Sequence, residues 1–282
     1  MSDITVVGLG LMGTALANTL LSAGHDISVW NRTREKMERL ISAGAHGATS
    51  LGEAIQMSPV VLISVSNYEM TSQLFGMDDV VGQLAGRSVV QLSSGTPAQA
   101  ADSEAWFIDR GAGYLDGAIL GGPGGIGKDT AQILICGKEP CWNDCEPVLR
   151  CLAGRLQYLG ENIRAAATLD MAWLAQRYGV FLSTAHALLL CEAEGVSADQ
   201  FAKTVAGDRA AEFAAIVHSG DFSNPSATLS VWNAAHEHIR AHAHDMKINT
   251  EFPDFVSSLL TRAEGAGYGD EDIAAIIKIL RS

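Results

Sequence analysis

The chain has 282 residues, of which 48% are hydrophobic and 18% charged, and this length is enough for two ordinary domains. Its formal net charge of −13 argues against nucleic acid or an anionic membrane surface as a partner, because both need a basic face. The five cysteines are irregularly spaced, as is typical of reduced thiols in the cytosol, so we expect a cytoplasmic protein.

Neither a targeting segment nor a membrane span is expected. Residues 1–24 lack the basic start of a secretory signal, and the apolar run at 60–63 is far too short to cross a bilayer. Cys141 and Cys145 could share a helix face and bind a metal, but no second pair has a ligand-like spacing. The sequence therefore predicts no metal site.

The first 160 residues alternate short apolar segments with helix-like ones. Strands are expected at 3–7, 26–30, 59–65 and 88–92, and two more within 113–136 around a Gly/Pro-rich turn. One helix should end near Gly24, another should cover 33–43, and each later strand is followed by a helical stretch. This alternation predicts a parallel sheet with helices on both faces.

After about residue 162 the sequence becomes alanine-rich, with an apolar period of 3.6. Residues 164–194 predict one long helix with so few polar positions that it should be buried on most sides, as in a dimer core. Four or five shorter helices should follow, the last opening at Gly269 with Asp270 as its N-cap. The predicted fold is an α/β Rossmann dinucleotide-binding domain (1–162), then an all-α domain (163–282) joined by the long interdomain helix.

Residues 8–13, Gly-Leu-Gly-Leu-Met-Gly, follow the first predicted strand and open the first predicted helix. This context favours a dinucleotide-binding loop over a mere glycine-rich turn. Gly8 would permit the tight turn, Gly10 the approach of a pyrophosphate to the backbone, and Gly13 the close packing of helix and strand. The helix N-terminus then favours the phosphate charge.

The end of the second predicted strand carries no Asp or Glu that would accept from the ribose 2′-hydroxyl of NAD. Residues 31–36 instead combine two arginines, a lysine, a hydroxyl and an amide, which suit a 2′-phosphate better. The alternative is an ordinary charged helix start, but the pattern favours NADPH. The predicted cofactor-binding residues are Gly8, Leu9, Gly10, Leu11, Met12, Gly13, Asn31, Arg32, Thr33, Arg34, Lys36, Val65, Ser66, Ser94 and Thr96.

Longer motifs carry a family resemblance. Residues 6–13 resemble the start of the β-hydroxyacid dehydrogenase superfamily, and residues 91–97 (Gln-Leu-Ser-Ser-Gly-Thr-Pro) and 116–119 resemble a narrower group, the imine reductases and reductive aminases. Further blocks of that group are found at Pro123, 126–127, 220–222, 227–229, 248–250, 253, 262–263 and 267–272. The resemblance implies a 6-phosphogluconate dehydrogenase-like fold and NADPH-dependent reduction of imines to amines. It also implies an intertwined homodimer, with each active site between one chain's nucleotide domain and its partner's helical domain.

The start of the long helix departs from the wider superfamily. Hydroxyacid dehydrogenases of the superfamily place a catalytic lysine there and an asparagine one turn later, whereas residues 164–173 contain neither. The resemblance to imine reductases gives this position to Asp170, which would protonate the imine nitrogen or hold an iminium cation. The alternative for Asp170 is a carboxylate paired at the domain interface.

Tyr178 lies eight residues after Asp170, on roughly the same side of the helix, where the family places a tyrosine that orients the substrate. The alternative for Tyr178 is a core or interface aromatic. Ser94 replaces an asparagine of the family pattern, which puts true reductive amination in doubt more than imine reduction. The predicted substrate-binding residues are Ser94, Ile119, Trp173, Phe213 and Trp232, although the aromatic ones are also typical core residues.

Four histidines, at 236, 238, 242 and 244, crowd one helical segment. We expect them on a partly solvated helix face, with a substrate-lining role as the next alternative and a metal as the third. Three functions remain open: an NADPH-dependent imine reductase, which the sequence favours, an NADP-dependent hydroxyacid or semialdehyde dehydrogenase, or a catalytically silent NADP-binding protein.

Overall fold

A computed structural model describes residues 2–281 of the chain. Within this range the chain forms two compact units, which divide after Asp170. The first unit carries one sheet, with strands β1 (Ile4–Val7), β2 (Ile27–Trp30), β3 (His46–Gly47), β4 (Val60–Ile63), β5 (Ser88–Gln91), β6 (Gly113–Ile119), β7 (Gln132–Gly137) and β8 (Arg155–Tyr158).

The spatial order of the strands is β3-β2-β1-β4-β5-β6-β7-β8. Neighbouring strands are parallel except β6 and β7, which pair antiparallel around the predicted Gly/Pro-rich turn. The prediction of a mainly parallel sheet is therefore confirmed. The sequence interpretation did not include β3 and β8, because two residues and an amphipathic stretch of four carry little apolar pattern.

Helices cover both faces of this sheet. They are α1 (Leu11–Ser22), α2 (Glu35–Ser42), α3 (Leu51–Gln56), α4 (Tyr68–Phe75), α5 (Asp78–Val81), α6 (Pro97–Ile108) and α7 (Glu139–Leu149). Side chains of one strand alternate between two apolar clusters, so that Leu62 packs on the side of α1 and α7 while Val61 and Ile63 pack on the side of α3 and α6. This two-sided burial explains why β4 is apolar at every position.

The second unit is helical, as predicted. Helix α8 (Ala165–Ala193) is the long helix expected at 164–194, and α9 (Ala198–Thr204), α10 (Asp208–Ser219), α11 (Leu229–Asp245), α12 (Glu251–Gly265) and α13 (Ile276–Leu280) follow it. In the single chain Leu169 and Leu190 of α8 are 45% and 60% exposed, so the expected burial on most sides is incomplete. No helix in residues 2–281 is both long and apolar enough to span a membrane.

The predicted N-cap at Asp270 is wrong. Asp272 takes that role instead, because its Oδ1 accepts from the Ala274 amide at 2.9 Å at the start of the turn that leads into α13. The preceding backbone is hydrogen-bonded to the start of α11. The Gly269 carbonyl accepts from the Ser230 amide, and the Glu271 carbonyl accepts from the Leu229 amide. The helical turn can begin only after those contacts, two residues later than the sequence suggests.

Candidate active site

A cleft of about 350 Å³ opens where β1, β2 and β4 end. Strand order reverses at β1, since β2 lies on one side and β4 on the other, and ligands of open α/β sheets bind at such a point. Of the predicted cofactor-binding residues, those lining this cleft are Gly8, Leu9, Gly10, Leu11, Met12, Gly13, Asn31, Arg32, Thr33, Lys36, Val65 and Ser66. Sequence reasoning missed four further lining residues, namely Trp30, Ser64, Met70 and Leu74.

The three motif glycines have different physical requirements. Gly8 has φ +92°, and a Cβ there would lie 2.4 Å from the Ser64 carbonyl oxygen. A Cβ on Gly13 would lie 1.9 Å from the Gly8 carbonyl oxygen, so this glycine sets the approach of α1 to β1. A Cβ on Gly10 would meet nothing within 4 Å. Gly10 is therefore not needed for packing, and the space beside it is available to a ligand.

Helix α1 begins at this open space with properties that suit an anion. Its N-cap, Gly10, has no side chain to bond the first amides, and its first turn contains no acidic residue. The first four N–H groups of a helix lack intrahelical partners and carry partial positive charge. The residues present therefore fit a pyrophosphate at this position.

Asn31 connects the loop after β1 to the loop after β2. Its Oδ1 accepts from the Leu9 amide at 2.9 Å, and its Nδ2 donates to the Thr33 carbonyl at 2.9 Å. The amide side chain thus shapes the cleft through both of its hydrogen-bonding groups, besides lining it.

The basic side chains beyond Asn31 are exposed. Arg32 and Lys36 line the cleft, whereas Arg34 is the N-cap residue of α2 and does not. Among residues 2–281, none of these three cations forms an ion pair within 4 Å. Arg32 and Lys36 are accordingly in position to meet an anionic group in the cleft.

The polar residues of the loop after β5 differ in exposure and in hydrogen bonding. Ser93 is buried and its Oγ accepts from the Val65 amide at 3.0 Å, whereas Ser94 is exposed. Thr96 forms a capping box with Gln99 at the start of α6. Neither Ser94 nor Thr96 lines the cleft described above, so their predicted cofactor contacts stay predictions.

Asp170 lies near the start of α8 and is only 9% exposed. Burial raises the pKa of its carboxyl to about 7. A carboxyl with such a pKa exchanges its proton readily near neutral pH, as general acid catalysis requires.

A second buried acid, Asp116 on β6, was missed as a site residue by sequence reasoning. It is 1% exposed, and the Tyr68 hydroxyl donates a hydrogen bond to its Oδ1. Burial raises the pKa of Asp116 to about 8; the Tyr68 hydrogen bond opposes this rise, and the negative charge of Asp170 adds to it. An available signal was the lone acid in the otherwise apolar strand Gly113–Ile119.

The tyrosine that holds Asp116 is itself fixed by a glycine. A Cβ on Gly95 would lie 2.3 Å from a carbon of the Tyr68 ring, so only glycine lets the ring approach the loop after β5 this closely. The glycine of the Gln-Leu-Ser-Ser-Gly-Thr-Pro motif therefore has a packing role next to the tyrosine that bonds Asp116.

In the second unit, Tyr178 is 1% exposed, and its hydroxyl donates to the Trp232 carbonyl at 2.6 Å. The ring of His236 lies edge-on to it, with 4.7 Å between centroids. The expected solvated position is wrong for His236, which is fully buried with Nε2 2.8 Å from the Pro253 carbonyl oxygen. Burial lowers the pKa of His236, which favours the neutral ring.

The predicted aromatic pocket residues differ in exposure. Phe213 is 2% exposed and stacks on Phe181 in the helical core, with ring centroids 5.9 Å apart. Trp173 and Trp232 are half-buried, and the guanidinium of Arg177 lies over the Trp173 ring at 4.5 Å. The remaining predicted contact, Ile119, is half-buried in the first unit, against its apolar core.

Comparison with known proteins decides between the related families. Residues 3–160 match the NAD binding domain of 6-phosphogluconate dehydrogenase, and residues 162–282 match the NADPH-dependent reductive aminase-like C-terminal domain. An imine reductase from Myxococcus stipitatus, solved in complex with NADP+, is 32% identical over 99% of each chain, with a TM-score of 0.69. The chain belongs to the imine reductase and reductive aminase family.

Two further proteins resemble this chain, one in sequence and one in fold. An NADPH-dependent reductive aminase from Aspergillus oryzae is 28% identical over 99% of this chain and 97% of its own length. A 3-hydroxyisobutyrate dehydrogenase from Salmonella typhimurium has a TM-score of 0.86 over 98% of this chain and 99% of its own, but its 22% identity shows likeness of fold alone. The predicted family and fold class are thus confirmed.

The glycine geometry predicts that two alanine substitutions will behave differently. Gly10→Ala should leave the unfolding temperature unchanged, because its φ of −70° and open surroundings accept a methyl group. The methyl group should weaken NADPH binding about tenfold or more, which corresponds to about 1.4 kcal/mol. Gly13→Ala should lower both the unfolding temperature and the affinity for NADPH, because overpacking costs about 1–3 kcal/mol.

Thermal unfolding without ligand and fluorescence titration with NADPH would measure the two effects. If Gly10→Ala bound NADPH as well as the unsubstituted protein, the pyrophosphate would have to lie elsewhere.

Proposed function

We propose that this family member is an NADPH-dependent imine reductase, which converts an imine or iminium to an amine. One observation carries the proposal: the buried carboxyl of Asp170 occupies the start of α8, where the hydroxyacid dehydrogenases of the superfamily carry a lysine. A carboxyl with a pKa of about 7 is suited to charge at nitrogen, because it can donate a proton or remain as a counter-charge. The missing lysine weighs against hydroxyl oxidation.

The cleft at the ends of β1, β2 and β4 fits NADPH by its own donors. The first amides of α1 would hold the pyrophosphate, and Arg32 and Lys36 would bind the 2′-phosphate of the adenosine ribose. When bound, NADPH supplies the hydride that reduces the imine carbon. The relatives described as NADPH-dependent or solved with NADP+ support the same cofactor.

Arg32→Glu should raise the Michaelis constant for NADPH about 10- to 100-fold, because charged hydrogen bonds contribute about 1.5–3 kcal/mol. The constant for NADH should change far less, since NADH has no 2′-phosphate. Arg39→Glu on α2 makes the same change in net charge outside the cleft-lining set and serves as the control. Equal effects of Arg32→Glu on both cofactors would remove Arg32 from the 2′-phosphate site.

Asp170 would act at the substrate nitrogen. As the hydride adds to carbon, the electron pair of the C=N bond moves to nitrogen, and a neutral imine must gain a proton to become an amine. The protonated Asp170 carboxyl can supply that proton, and it becomes a carboxylate. For a substrate that is already an iminium, the carboxylate would instead stabilise the cation electrostatically.

Asp170→Asn keeps the size of the side chain and removes the acid. Turnover of a cyclic imine at saturating NADPH should fall about 10²–10⁴-fold, while NADPH affinity should hardly change. A quaternary iminium needs no proton, so its reduction should be nearly normal if Asp170 serves only as an acid, and impaired if it serves as a counter-charge. Retention of more than about a third of turnover on the cyclic imine would make Asp170 structural.

The range of substrates that we propose for this chain is narrower than that of the family as a whole. Ser94 offers a single hydroxyl where the family pattern has an asparagine, so we infer a preference for preformed imines over ketone plus free amine. Tyr178 would orient the substrate; because its proton is donated to the Trp232 carbonyl, such a contact would use the tyrosine oxygen as acceptor. Ile119, Trp173, Phe213 and Trp232 remain proposed substrate contacts.

We also propose that the protein acts as an intertwined homodimer in the cytoplasm. Many large apolar side chains of the second unit are exposed in the single chain, among them Leu190, Val205, Val231 and Phe255 at 56–73%. Exposed apolar side chains are covered when they lie in a contact between protein surfaces, and the proposed dimer would cover these. The free cysteines fit a reducing compartment.

Light scattering at micromolar concentration should therefore give twice the monomer mass. A monomer that still turns over a cyclic imine would remove both the dimer and the shared active site that family resemblance implies.

A further inference from the structure

Arg177 on α8 is a half-buried cation without a counter-ion. Among residues 2–281 its Nε is buried without a hydrogen-bond partner, and the side chain forms no ion pair within 4 Å. Burial lowers the pKa of the guanidinium, but arginine stays protonated in proteins and the positive charge is retained. Buried polar groups rarely lack partners, so this one calls for an explanation.

Three aromatic rings lie around the guanidinium. Its central carbon is 4.5 Å from the ring centroid of Trp173 and 5.5 Å from those of Phe181 and Trp232. Ring faces attract a cation within about 6 Å, but they do not replace the hydrogen bonds that its five N–H donors can make. The rings therefore hold the charge in place without satisfying its hydrogen-bonding capacity.

Two ionic side chains of α10 act on Arg177 without neutralising it. Arg209 lowers its pKa and Glu212 raises it. These two residues pair with each other, with 2.9 Å between Arg209 Nη1 and Glu212 Oε2. Because that pair is neutral overall, the charge of Arg177 stays uncompensated.

The guanidinium lies among the proposed substrate contacts. Trp173 and Trp232, whose rings flank it, are two of them. The ring of Tyr178, the proposed orienting tyrosine, lies edge-on to that of Trp232, with 5.7 Å between centroids. Phe181 stacks on Phe213, a third proposed contact. A substrate that touched both tryptophans would accordingly come beside the guanidinium.

The helical repeat relates this cation to the proposed acid. Arg177 follows Asp170 by seven residues of α8, which is two turns and therefore the same side of the helix. Helical side chains point back toward the N-terminus, and the guanidinium accordingly lies over Trp173, one turn closer to Asp170. The rise of about 10 Å over seven residues is within the span of a small organic molecule.

We propose that Arg177 selects imines that carry a carboxylate. The inference rests on the proposed function, because it names the class of substrate that the reductase would prefer. A guanidinium offers paired planar donors that match the two oxygens of a carboxylate, and its single charge balances the single charge of that group. The flanking rings suit the carbon skeleton of the same molecule. Arg177 is thus a specificity-determining residue that binds the substrate away from its reacting carbon.

Two matched substrates test this selection. One is a cyclic imine whose imine carbon bears a short chain ending in a carboxylate, and the other is the primary amide of that acid. They differ mainly in charge, so at saturating NADPH the unsubstituted protein should favour the acid about 10- to 100-fold in kcat/KM. The preference should arise in KM, because a group remote from the reacting carbon binds equally before and during hydride transfer.

Arg177→Met keeps an apolar chain against the rings and removes the charge. KM for the acid should rise about 10- to 100-fold, whereas kcat for both substrates and KM for the amide should change less than about twofold. Arg177→Lys should restore only part of the preference, because an ammonium keeps the charge without the planar donors. Arg209→Gln is the matched control and should leave the preference unchanged, since that cation is already paired with Glu212.

Equal losses on acid and amide in Arg177→Met would show that the arginine only supports the aromatic rings, and the inference would fall. A lack of preference for the acid in the unsubstituted protein would also overturn it, while imine reduction itself would stand. If neither imine were reduced, the proposed function would fail.

A counter-ion from a second copy of the chain is the alternative, because we propose a dimer. In that case Arg177→Met should shift the mass in light scattering from dimer toward monomer, which would overturn the inference. A retained dimer that has lost its preference for the acid would support it.

Binding of cyclohexanecarboxylate to the protein without cofactor gives a readout independent of turnover. Because two tryptophans flank the charge, binding should change the tryptophan fluorescence in a saturable way. Affinity should be about tenfold or more lower for cyclohexanecarboxamide, and equally so for the acid with Arg177→Met. No saturable binding of the acid, or binding that Arg177→Met left unchanged, would overturn the inference whether or not imines are reduced.

Discussion

The close approach of α1 to the end of β1 is the constraint on which the cleft depends. It exists because Gly13 lies against the carbonyl of Gly8, with no room for even one methyl carbon between them. Because protein interiors are closely packed, an added methyl group at this contact would displace α1 from β1, together with the residues at the start of the helix. Gly8 and Gly13 therefore position three features together: the N-terminus of α1, the loop that Asn31 holds, and the opening between β1 and β4.

Electrostatics divide the first unit into two regions with opposite requirements. The cleft presents exposed cations and uncapped amides, so a polyanion gains attraction there despite the net charge of −13. Asp116 and Asp170 are buried, and burial disfavours the charged form of each carboxyl, while the Tyr68 hydrogen bond opposes this effect at Asp116. A cleft that suits an anion can thus lie in the same unit as carboxyls with raised pKa values, because burial acts locally whereas the net charge describes the whole chain.

Sequence patterns were sufficient for features that arise from local chemistry. The glycine loop, the basic residues after β2 and the long α8 each follow from spacing or composition within one segment. The Asp116–Tyr68 pair was not accessible in this way, since its members are 48 residues apart and meet only because β4 and β6 both adjoin β5. The prediction of a solvated position for His236 was wrong for a related reason. The sequence of one histidine-rich helix does not show which of its faces the neighbouring helix covers.

Asn31 has a consequence for attempts to redesign this protein for NADH. An aspartate at this position is the obvious exchange, because it would accept from a ribose 2′-hydroxyl and repel a phosphate. The carboxylate could still accept from the Leu9 amide, but it has no proton to give to the Thr33 carbonyl, which the amide now bonds at 2.9 Å. On the proposed cofactor site, a substitution of Asn31 would therefore change both cofactor preference and loop conformation. On the same proposal, the exposed Arg32 next to it is the more independent position for adjusting the choice of nucleotide.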